Sequence, residues 1–171
     1  MLNFTNQFFK SIHCWFPVLS LRRFQDRLPK LWDHSSADFA LLVSSVSLLT
    51  MQPGDSTLSS EMNSLYINIK SSTAALEAIG INSLDLLQCH LLINLFEVLH
   101  GIYPAAFISI GTVARSGVVL GIYDGRLSDG PGQGEEEAEM IRRGISILDR
   151  SVKDSRLFSI SLLRHDVIVC P

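Results

Sequence analysis

Leu84-Asp85-Leu86-Leu87-Gln88-Cys89-His90-Leu91-Leu92-Ile93-Asn94-Leu95-Phe96-Glu97-Val98-Leu99 is apolar nearly all round a helical circumference. A helix of that kind has no solvent face and belongs at the centre of a fold. Asn82 or Ser83 is placed to cap it, and Asp85 suits its first turn, where the backbone N–H groups gather positive charge. Gly101 ends it. Pro104 then fits the first position of a second helix. That helix runs to Leu120 and is rich in small residues (Ala105, Ala106, Ser109, Gly111, Ala114, Gly117), which let a neighbour approach closely; Gly121 suits its C-terminus. Upstream, Met62, Leu65, Tyr66, Ile69, Thr73, Leu76 and Ile79 recur in steps of three and four. They predict a helix with Asn63, Lys70 and Glu77 on its outer face and Gly80 as its stop.

Further out, the signals continue in the helical period. Phe39 to Met51 is a long apolar run. Ser35-Ser36-Ala37-Asp38 before it has the spacing of a capping box, and Pro53-Gly54 after it is a break. Phe4, Phe8, Phe9 and Ile12 share a face, with Trp15 and Phe16 closing that segment ahead of Pro17. Ser20 then caps a short helix whose Leu21, Phe24 and Leu28 point inward and which Pro29 ends. On the far side, a polar, glycine-rich loop over residues 124–134 leads into Glu135, Glu136 and Glu137. The helix they open runs to Arg150, with Met140, Ile141, Ile145 and Leu148 inward and Glu139 paired to Arg143 one turn on. Strand-like alternation appears only at Asp166 to Cys170, and there is no internal repeat. The predicted fold class is all-α: antiparallel helix pairs joined by short turns in a multi-helix array.

Composition agrees. The chain has 171 residues, 47% hydrophobic and 18% charged, which suits one domain with a real core rather than a disordered segment. A net charge of −3 gives no overall basic footprint for nucleic acid. The local run Arg22, Arg23, Arg27, Lys30 reads as the solvated face of a small helix. Cys14, Cys89 and Cys170, odd in number and widely spaced, predict reduced thiols in an intracellular compartment. Lys10 and His13 interrupt any signal-peptide pattern. Val98 to Tyr123 is the most membrane-like stretch, but Pro104 and Arg115 break it where a span needs about 20 clean apolar residues. It reads as a buried helix.

Candidate chemistry is thin. Gly130-Pro131-Gly132-Gln133-Gly134 precedes a helix, yet it lacks the Gly-Lys-Ser/Thr ending of a phosphate loop and is followed by three glutamates that repel an anion. Glu97-x-x-His100 has the spacing used in di-iron bundles, which need two copies and further carboxylates; a single copy reads as a polar rim at a helix end. Within Cys89-His90 and His13-Cys14 the side chains diverge by about 100°, so neither pair readily chelates one ion. There is no Gly-x-Ser-x-Gly elbow. Arg115, a charge inside an apolar helix, must snorkel, pair, or anchor a ligand in a pocket. No catalytic, cofactor-binding or metal residue is expected, and no enzyme.

Four stretches together resemble the fungal-specific transcription factor domain, the middle homology region of fungal binuclear zinc-cluster regulators. Phe8-Phe9-Lys10-Ser11-Ile12-His13-Cys14-Trp15-Phe16-Pro17-Val18-Leu19, followed by Arg23-Phe24 and Leu28, is similar to the family's opening segment. Ala40 to Thr50 looks like its first long apolar helix. Glu77 to Gln88, on through His100-Gly101-Ile102-Tyr103-Pro104-Ala105-Ala106, carries the strongest likeness. Arg142-Arg143-Gly144-Ile145-Ser146-Ile147-Leu148-Asp149-Arg150 resembles a later helix. Departures stand at Cys14, where proline is usual, and at Arg142 and Arg143, where two tryptophans are usual. The arginines imply a looser α-helical layer or a side chain turned to solvent.

The resemblance implies a partial regulatory domain over residues 1–150, an unmatched tail over 151–171, and an incomplete, truncated helical array. It implies a nuclear role in regulating DNA-templated transcription, through protein partners or further helices of a longer form and a small-molecule effector. Zinc and DNA binding belong, in that family, to a separate six-cysteine module that this chain lacks. It further implies an exposed apolar surface where additional helices dock. The competing expectations are a stand-alone helical ligand-binding protein anchored by Arg115, and, last, an enzyme in which a histidine meets Cys14, Cys89 or a carboxylate.

Overall fold

In a computed structural model, the structure describes residues 3–31, 36–52, 58–124 and 133–153. Eight α-helices carry these residues: α1 (Asn3–Lys10), α2 (Ile12–Trp15), α3 (Leu21–Arg27), α4 (Ala37–Thr50), α5 (Ser60–Ala78), α6 (Leu84–Leu99), α7 (Tyr103–Val119) and α8 (Gln133–Lys153), with a 3-10 turn at Leu28–Leu31. The all-helical array read from the sequence is what forms. The Ser35 cap, the Pro53-Gly54 break, most of the loop after Asp124 and the alternation at Asp166–Cys170 lie outside the described residues.

The central helix is α6. It packs against α4, α5, α7 and α8, and its only residues not fully buried are Leu84, His90 and Leu99. Its all-round apolar pattern leaves it no other place. Around it, Phe8, Phe16, Leu42, Leu48, Met62, Ile69 and Phe96 fill the core with almost no exposure. The serine caps are in place: Ser20 Oγ accepts from Arg23 N–H at 3.4 Å, Ser59 from Met62 at 3.1 Å and Ser83 from Leu86 at 3.2 Å. The stops at Gly80, Gly101 and Gly121 all have positive φ, between 70° and 82°, where a side chain would be strained.

Several local expectations need correction. The cap of α4 is Ser36, whose side chain makes no capping bond to the helix backbone, and Asp38 reaches beyond its own helix. Its carboxylate accepts from Phe39 N–H at 2.9 Å and from the Ser83 hydroxyl, so it links the starts of α4 and α6. Pro104 takes the second helical position, after Tyr103. Leu21 and Ile79, read as inward, are exposed, because each sits at a helix end beyond the reach of the core. Lys70, read as outward, turns in toward α6. The buried-helix reading of Val98–Tyr123 holds for one face of α7 only. No helix among the described residues is long and apolar enough to cross a membrane.

The N-terminal segment closes the array. Phe16 and Val18 are fully buried against Gly144 of α8, where an added Cβ would stand 2.6 Å from Val18 Cγ1. Only the missing side chain allows that approach.

Candidate functional site

Two charged clamps hold α6. In the first, α3 presents Arg23 and Arg27. Arg27 donates to both oxygens of the buried Asp85, at 2.7 and 2.6 Å, and Arg23 Nη1 donates to Glu137 Oε2 at 2.8 Å. Gln88 Nε2 completes the set, donating to Val18 O at 2.9 Å and to Glu137 Oε1 at 3.1 Å. Arg27 also lies over the Phe39 ring, 4.0 Å from its centroid. The run read as a solvated basic face is therefore split. Arg22 stays exposed, while Arg23 and Arg27 join α3 to α6 and α8, because two buried carboxylates demand counter-charges.

The second clamp surrounds Glu97, which has no exposed surface. Lys70 of α5 pairs with Glu97 Oε1, Tyr66 donates its hydroxyl to the same oxygen at 2.7 Å, and Lys70 also donates to Ser109 Oγ of α7 at 3.2 Å. Burial and the adjacent carboxylate push the Tyr66 phenol well above its ordinary range, so it remains a donor. Glu97 was read as part of a polar rim; it is instead the buried junction of three helices. Glu97 Oε2 and Asn94 Oδ1 are buried without a hydrogen-bond partner among the described residues.

The remaining candidates do not converge. His100 Nδ1 is 2.9 Å from Phe96 O, and its ring lies tilted against the Phe96 ring, 4.1 Å between centroids. Cys89 is free and buried beside Ser45 Oγ at 3.0 Å, and burial pushes its thiol up to about 12, which keeps it protonated and unreactive. His90 Nε2 lies 3.1 Å from Glu77 Oε1. His13 Nε2 is held 2.8 Å from Leu19 O. Cys14 Sγ lies 3.5 Å from Lys10 O and 3.8 Å from Phe9 O, and Cys170 lies outside the described residues. Among the described residues, no group of three or more His, Cys, Asp or Glu side chains could hold a metal ion. Gly134 stands inside α8, and the rest of Gly130–Gly132 lies outside the described residues.

Arg115 is not a pocket anchor. It is exposed, and its guanidinium folds back along α7 to Gly111, 3.4 Å from where a Cβ would stand. It lies on the outward side of α7 with Phe107, Ile108, Val118 and Val119, each 62–76% exposed. Ala106, Ser109, Ile110, Val113 and Gly117 occupy the inward side. Thus α7 is apolar on both sides and covered on one. The sequence showed the small residues and the lone arginine, but not which side the core would claim.

Arg142 fills a place the sequence left open. It donates to Ile122 O at 2.6 Å, Glu135 Oε1 at 2.6 Å and Glu139 Oε2 at 3.0 Å, pinning α8 to the turn after α7. Arg143 is exposed and bonds Glu139 at 2.9 Å, as its spacing predicted.

Over 118 residues the chain is 32% identical to Transcription factor BOA15 of Botryotinia fuckeliana (strain B05.10), a stretch that covers 69% of this chain. The chain spans 65% of the length of that curated relative. No family model matches the chain. No solved structure matches it either. The chain is thus, over part of its length, a distant homologue of a fungal protein named as a transcription factor.

Proposed function

We propose that this chain is a regulatory, protein-contacting domain of a fungal transcription regulator, working in the nucleus. The likeness to a protein named as a transcription factor carries the proposal. The uncovered apolar side of α7 supports it, since a surface of that kind marks a contact with another polypeptide. Residues 1–150 form the regulatory domain on this reading and 151–171 a tail. DNA reading and zinc binding are assigned to a separate module, and the work of this chain is to change the output of that module.

The test is to fuse the full chain to an unrelated DNA-binding module in a fungal host and read a reporter behind the matching operator. The expected result is a nuclear fusion protein that raises or lowers reporter output relative to the module alone. Output identical to the module alone, with the fusion protein present at equal level, would sink the reading.

A second reading has one observation in its favour. An open cleft of 640 Å³ lies between α3 and the first turns of α8, walled by Arg22, Arg23, Asp26, Glu136 and Met140. A small-molecule effector would act there, not at Arg115. Metabolite-dependent thermal stabilisation, lost on Arg22→Ala, would identify it.

A further inference from the structure

The outward side of α7 has an internal order that points to one occupant. Phe107, Gly111 and Arg115 are spaced four and four, so they stack along one stripe with glycine in the middle. Ile108 and Val118 flank the stripe, and Pro104 begins it. All are exposed or half-exposed. No carboxylate among the described residues forms an ion pair with Arg115.

We propose that this stripe binds the same stripe of a second copy of the chain, antiparallel and with the two-fold axis at Gly111. In an antiparallel pair centred on residue 111, position 115 of one copy faces position 107 of the other. Each Arg115 then lies on the Phe107 ring of its mate, a cation–π contact made twice by symmetry. The same register sets Pro104 against Val118. Gly111 removes the side chain that would otherwise hold the helices apart at their crossing. In the single chain Arg115 covers Gly111, and it has only to rotate away from its own helix to reach the mate. A parallel pairing would instead set Arg115 against Arg115 and is excluded by charge. The proposal goes beyond the regulatory reading and does not depend on it.

One helix side per copy is a small interface, so the dimer forms at micromolar concentration rather than obligately. Sedimentation equilibrium of the full chain from about 1 to about 300 μM should show a reversible monomer–dimer transition. Phe107→Ser and Arg115→Glu, both at exposed sites, should each weaken it by about tenfold or more while helical circular dichroism is unchanged. The double variant F107K/R115E recreates an attractive pair across the axis and should dimerise again. Gly111→Cys, at the axis, should give a covalent dimer on mild oxidation beyond that of the unaltered chain. A chain that stays monomeric throughout, or a dimer that both single variants leave intact, overturns the proposal. So does a dimer lost in the single variants and not regained in the double one.

Discussion

Gly144 is the most tightly packed of the described helical glycines. A methyl group there would meet Val18 Cγ1 at 2.6 Å, with the Phe16 ring at 3.5 Å. On an open helix, Gly→Ala stabilises by about 1 kcal/mol. Here overpacking against a fully buried valine outweighs that gain, and Gly144→Ala should destabilise by about 1–3 kcal/mol in urea titration. Val18→Ala in the same chain should return part of the loss. At Glu97 the decisive fact is a carboxylate with no exposed surface whose charge is met by Lys70. Lys70→Met leaves that charge alone in the core, and a loss of about 3 kcal/mol is expected, at the lower end because the lysine is itself partly solvated. Replacing both, as K70M/E97L, should recover most of it; a double variant as unstable as the single would show that the pair does more than cancel its own charges.

At the scale of elements, helix starts are joined in a way that single-helix reasoning misses. Asp38 accepts from Phe39 N–H in the first turn of α4 and from the hydroxyl of Ser83, the cap of α6. Partial burial works to raise its pKa, but the hydrogen bonds from Ser36, Ser83 and the backbone win and hold it below the usual carboxylate value. Asp38→Ala should cost about 1–2 kcal/mol. It should also speed amide exchange in the first turns of both α4 and α6; acceleration in α4 alone would show that the link to Ser83 carries nothing. Among the interior helices, α7 differs in kind. It buries one side and leaves Phe107, Ile108, Val118 and Val119 exposed on the other.

For the whole molecule, the two partly buried histidines of the α6 region, His90 and His100, give stability a pH dependence. Burial lowers the pKa of His90, with Glu77 opposing, and burial lowers that of His100 against a backbone hydrogen bond. A folded pKa below the unfolded value means that the unfolded chain binds more protons in between. Stability is then full above about pH 6.5 and falls as pH drops from there through the folded pKa values. Urea midpoints measured from pH 7.5 to 5 should fall on acidification, and the H90Q/H100Q variant should flatten that fall. The helix count near the core, the centrality of Leu84–Leu99 and the glycine stops were all fixed by local pattern, because capping and hydrophobic period act within a turn or two. The ordered motifs likewise point toward a fungal transcription factor, and a distant homologue carries that name. Tertiary structure alone decided where the charges go: Arg23, Arg27 and Lys70 sit at surface-like positions in sequence, yet turn inward because Asp85, Glu137 and Glu97 are buried by other helices. It also decided which side of α7 stays open. Both depend on contacts between residues tens of positions apart, and no periodicity within one helix encodes the partner across the core.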